Sequence, residues 1–173
     1  MNIKLFILIL PAWLASVVNW CAIAEEPATR GRIEFSNGQA MEGTLSLTPG
    51  KKMKLFVKDT AMDLDLNQIR EIRFTPESEE LAQKYRFPEA GKAFKEKWGD
   101  PYPTRSLIAE VTFADGTTAT GHLFTTVVYV EDAKGARKVI LVAKQKGEPG
   151  QSLDDLVFPV SLKMDGDGRP AQG

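Results

Sequence analysis

The chain has 173 residues, with 22 Lys and Arg against 23 Asp and Glu and a formal charge of −1, so no global positive field speaks for nucleic-acid binding. It holds one His and one Cys, which removes the usual soft ligands for zinc or copper; neither a metal nor another cofactor is expected. With 43% apolar residues, a chain of this size can build an ordinary core.

Residues 1–24 have the form of a secretory signal: a basic start at Lys4, an apolar run over 5–18, and the small-residue site Ala22-Ile23-Ala24 before Glu25-Glu26. The run is interrupted by Pro11 and is shorter than the roughly 20 apolar residues of a membrane span. Cleavage after Ala24 is expected, leaving no stable span and a secreted or periplasmic product. Cys21 would be the lipidated residue of a lipoprotein, but Trp20 puts a bulky indole directly before it. Without Cys21 the chain has no disulfide, and packing alone must hold it.

A first β module is expected over 25–74. Residues 30–35 and 39–47 pair across the Asn37-Gly38 turn, and Thr48-Pro49-Gly50 ends the second strand. Residues 53–58 alternate, and after a turn at Asp59-Thr60 so do Met62, Leu64 and Leu66 against Asp63 and Asp65. The spacing Leu66-x-x-Ile69 suits one helical turn before a short strand at 71–74, completing a small closed barrel.

Residues 75–105 read as a helical connector. Thr75-Pro76 followed by Glu77, Glu79 and Glu80 has the composition of a helix start. Leu81 and Tyr85, then Ala90, Phe94 and Trp98, recur at i, i+4. Either this apolar surface packs on the second module and welds the two together, the favoured reading, or Tyr85, Phe94 and Trp98 present an aromatic face to a partner.

A second module is expected over 106–164. It has a long strand at 117–130 that is apolar on both faces past Leu123, a strand near 136–144, a Leu153–Leu156 turn, and a final strand in which Pro159 implies an edge. Residues 165–173 have the composition of a disordered tail, and Asp165-Gly166-Asp167-Gly168 lacks the Glu that completes a calcium loop.

The two modules share a pattern. Phe35-Ser-Asn37-Gly38 with Gly43 and Leu45 reappears as Phe113-Ala-Asp115-Gly116 with Gly121 and Leu123, at a constant offset of 78. Together with a lysine-bearing third strand and Leu-x-x-(Ile/Leu) before the last, the pattern resembles the SH3-like or Sm-like small barrels. The resemblance implies a mainly β fold with two tandem barrels and a helical insert. Neither copy carries the Asp, Asn or Arg-Gly that Sm proteins use around uridine, so RNA binding does not follow from it.

Two basic stripes repeat with the modules: Lys52, Lys54 and Lys58 in the first, Arg137, Lys138 and Lys144 in the second, each in a stretch free of acids. They suit an anionic polymer or headgroup; equally, lysines on an exposed edge strand block sheet-to-sheet association. His122 and nearby carboxylates would be the machinery of a small hydrolase, but no nucleophile stands at motif spacing, and no catalytic residue is assigned. Asp59-Thr60-Ala61 lacks the glycine and the second copy of a retropepsin dyad. The expectation is an exported, non-catalytic binding or scaffolding protein of the cell envelope, with an envelope protein or an anionic polymer as partner.

Overall fold

A computed structural model describes residues 29–91 and 93–165. The expected signal peptide, and the expected tail beyond Asp165, lie outside the described residues. Among the described residues eleven strands and one 3₁₀ turn follow in chain order: β1 (Thr29–Phe35), β2 (Ala40–Leu47), β3 (Met53–Val57), β4 (Thr60–Leu64), the 3₁₀ turn (Leu66–Gln68), β5 (Ile69–Arg86), β6 (Glu96–Phe113), β7 (Thr118–Leu123), β8 (Thr126–Asp132), β9 (Gly135–Leu141), β10 (Lys144–Lys146) and β11 (Pro159–Met164). They form one antiparallel sheet in the order β4-β3-β7-β6-β5-β11-β1-β2-β8-β9, with β10 added alongside β6. The sheet curls, and the alternate inward side chains of its strands meet in a single core that includes Ile33, Leu45, Leu55, Ile72, Val111, Leu123, Val130 and Leu162.

The strand order is a palindrome. With β1, β2, β3, β4 and β5 matched to β6, β7, β8, β9 and β11, each half of the sheet takes its first hairpin from one copy and its second hairpin from the other. The register obeys the same symmetry. Ile72 stands directly opposite its counterpart Leu162, with Glu71 opposite Lys163 and Arg73 opposite Ser161, so a pseudo-twofold axis passes between β5 and β11. Leu45 on β2 faces Val130 on β8, as Leu123 on β7 faces Leu55 on β3.

The duplicated turns are the same object twice. Gly38 and Gly116 adopt φ of 80° and 85°, where a side chain would be strained. Each donates its N–H to the phenylalanine three residues back, at 2.9 and 3.0 Å. Asn37 and Asp115 accept from the backbone N–H two residues on. Each turn is then held by the end of a neighbouring segment: Ser36 N–H donates to Phe158 O, and Ala114 N–H to Gln68 O, both at 2.9 Å.

Four sequence expectations are corrected. The two tandem closed barrels are replaced by one continuous sheet, because β2 pairs with β8 and β7 with β3, leaving β4 and β9 as the ends of the strand order. The expected strand over 117–130 is broken at Phe124-Thr125, where the chain crosses from one half to the other, which is why both of its faces read as apolar. The helical connector is a β-hairpin: β5 and β6 pair from Ile69/Phe113 out to Arg86/Glu96. An i, i+4 spacing is an even number, so it puts side chains on one face of a strand as well as of a helix. Pro76 precedes the register shift at Glu77, where a missing N–H is tolerated. Pro159 likewise opens β11 at a register shift, and β11 lies at the centre of the sheet rather than at an edge.

Candidate functional site

The β5–β6 hairpin runs far past the sheet. β11 accompanies β5 only at residues 71–73, and β7 accompanies β6 only at 109–112. Beyond them β10 and the segment after it brace the β6 side: Lys144–Lys146 pair with Thr104–Ser106, Gly147 N–H donates to Pro103 O and Gly150 N–H to Pro101 O, each at 2.8 Å. The Lys146 ammonium stands 4.4 Å over the Tyr102 ring.

Arg105 fixes the base of this arm. Its Nε donates to Glu79 Oε1 (2.6 Å), Nη1 to Leu156 O (3.0 Å) and Nη2 to Leu153 O (3.2 Å), while the guanidinium stacks 4.3 Å over Phe158. A buried charge is tolerated when its donors are satisfied in this way. Sequence reading missed Arg105, because its hydrogen-bond partners lie 26, 48 and 51 residues away and no motif announces them.

Distal to the brace the arm stands on its own pairing. Gln83 Nε2 donates to Gly99 O across a bulge, and Arg86 Nε to Glu96 Oε1 closes the last rung, both at 2.6 Å. The large side chains here have no core to enter: Phe94 is 64% exposed, Tyr85 61%, Phe87 57% and Trp98 50%. The expectation that this apolar surface welds two modules together is therefore corrected, since the halves already interlock through exchanged strands. Phe87 joins Tyr85, Phe94 and Trp98 as an arm residue that the sequence reading passed over; its place between Arg86 and Pro88 was the available signal.

The basic residues do not converge. Lys52 and Lys54 pair with Asp65 and Asp63, each at 3.2 Å, and Lys58 sits in the β3–β4 turn. Arg137 pairs with Asp132 at 2.5 Å and shares with Lys138 the end strand β9, whereas Lys144 lies on β10 beside β6. β3 and β9 sit in opposite halves of the strand order. The edge-protecting role suits Arg137 and Lys138; β3 is covered by β4 and β7 on its two sides.

Lys51, Lys52 and Lys54 do line one groove of about 400 Å³, with Leu47, Thr48 and Phe124. It lies where residues 48–52 and 124–125 carry the chain between the two halves. Phe124 packs edge-on to Phe56 at 5.5 Å. A second groove, of about 450 Å³, is bounded by Asn67, Gln68, Phe113 and Asp115.

His122 Nε2 lies 2.8 Å from Glu77 Oε2, with both side chains about half exposed, and His122 lines neither groove. Among the described residues no group of three His, Cys, Asp or Glu is arranged to hold a metal ion, and no helix is long and apolar enough to cross a membrane. Comparison with protein-family models, with curated proteins and with solved structures returned no match.

Proposed function

We propose that the protein is an exported, non-catalytic binding or scaffolding component of the cell envelope, and that the distal β5–β6 arm is its docking surface. The observation that carries this reading is the exposure of Tyr85, Phe87, Phe94 and Trp98 on a paired, braced projection. Fully burying such a ring is worth roughly 1.5–3 kcal/mol, and a bound partner recovers the share that the half-exposed rings still leave in water. The competing hydrolase reading is less well supported, because the His122–Glu77 pair lies on open surface rather than in a cleft that would position a substrate.

The test is capture from envelope extract with the exported protein as bait. The triple variant Tyr85→Ser/Phe94→Ser/Trp98→Ser is expected to lose the captured material while staying folded, its Tm lowered by no more than a few degrees. Equal capture by the triple variant would reject the arm as the docking surface.

A further inference from the structure

We propose that the occupant of the arm is a lipid surface bearing anionic headgroups, with the tip of the hairpin seated in the membrane's interfacial layer; this rests on the arm being the docking surface. The placement of the rings argues for such an occupant. Across the arm Tyr85 stands opposite Lys97, and Trp98 opposite Lys84. Residues 84 and 85 are strand neighbours and point to opposite faces, so the arm carries a large aromatic ring on each face, with Phe87 and Phe94 flanking the tip. A flat protein surface meets one face of a ribbon, whereas a lipid interface surrounds a hairpin tip on every side and covers all four rings together.

Charge points the same way. Between residues 84 and 98 the sequence carries Lys84, Arg86, Lys92, Lys95 and Lys97 against Glu89 and Glu96, five cations to two acids in a chain whose net charge is −1. Glu96 is already paired with Arg86, and Glu89, the sole acid from 87 to 95, is itself partnered. Basic side chains near an anionic leaflet each add attraction, and long lysine stems lie along apolar surface while their ammonium groups stay at headgroup level.

The order along the arm matches the layers of an interface. The phenylalanines lie outermost, on either side of a tip that includes Pro88, Ala90, Gly91 and Ala93. Trp98, Tyr85 and Tyr102, each with a polar handle, follow toward the body, where aromatic belts sit in membranes. A two-stranded ribbon leaves backbone groups unpaired along its outer edges, so it cannot enter the hydrocarbon and stops in the wet layer above.

The experiment is flotation of the exported protein with vesicles of phosphatidylcholine alone or mixed with phosphatidylglycerol. Binding is expected to the anionic vesicles, at least about tenfold weaker to the neutral ones, and lower again at high salt. Phe87→Ser/Phe94→Ser and Lys95→Glu/Lys97→Glu should each reduce it by about tenfold or more without moving the Tm. Absence of binding to anionic vesicles, or binding that both variants retain, would overturn the lipid assignment. If it falls while the aromatic triple variant still loses a captured envelope protein, the docking arm stands with a protein occupant. Failure of both assays removes the arm from function altogether.

Discussion

At Gly43 and Gly121 the exchanged strands leave no room for a side chain. A methyl group at Gly43 would collide with the carbonyl of Glu131 on β8, and one at Gly121 with the carbonyl of Phe56 on β3. The two positions are related by the pseudo-twofold, so Gly43→Ala and Gly121→Ala should each destabilise the fold by a similar amount, about 1–3 kcal/mol, in urea denaturation. Both glycines stood out in the sequence as repeated positions. Their partner strands did not, because a glycine records that something approaches and not from which copy it comes. A second residue-scale expectation concerns pH. Ser161 Oγ donates to Glu34 Oε2 at 2.9 Å, and Lys163 and Arg32 stand nearby, which holds the Glu34 carboxyl below its ordinary value of 4.5. A depressed carboxyl stabilises the folded state fully above its unfolded pKa, and that contribution is lost as pH falls through the lower folded value. Ser161→Ala should therefore make the stability lost to acid smaller, and Glu34→Gln should flatten that part of the profile, both read from urea midpoints below about pH 5.

The β5–β6 arm is the element that the sequence named by its side chains and misnamed by its backbone. Tyr85, Phe94 and Trp98 were legible as an apolar surface needing an explanation, while their i, i+4 spacing and the Thr75-Pro76 start fitted a helix as well as a strand. What decides for strand is tertiary: the outer part of β6 at 104–106 continues the ladder that β10 pairs with, and Arg105 ties the arm's base to Leu153 and Leu156. Because Trp98 is half exposed and faces only Lys84 across the ribbon, Trp98→Ala should cost no more than about 1 kcal/mol, the scale of a cross-strand pair. A loss of about 3–5 kcal/mol in thermal or urea unfolding would mean that the ring is buried and the arm is not free.

At the scale of the whole molecule, the duplication was readable and the way its copies join was not. The alternation of β2 suits β3 and β8 equally, since Leu55 and Val130 are both apolar, inward-facing and fully buried. Either strand would bury the same face of Leu45, and the short links at 48–52 and 124–125 carry the first and second hairpins of each copy into opposite halves. Interlocking leaves one core with no internal seam for the arm to close, and its aromatic residues remain exposed. The most direct measurement of this arrangement is a disulfide trap in a Cys21→Ser background. Ser46 and Tyr129 are opposite each other across β2 and β8, a separation within disulfide reach. Ser46→Cys/Tyr129→Cys should close under mild oxidation within a monomer and raise stability. Free thiols or purely intermolecular bonds there, together with ready closure of Ser46→Cys/Lys54→Cys, the pair that unexchanged copies would set face to face, would contradict strand exchange.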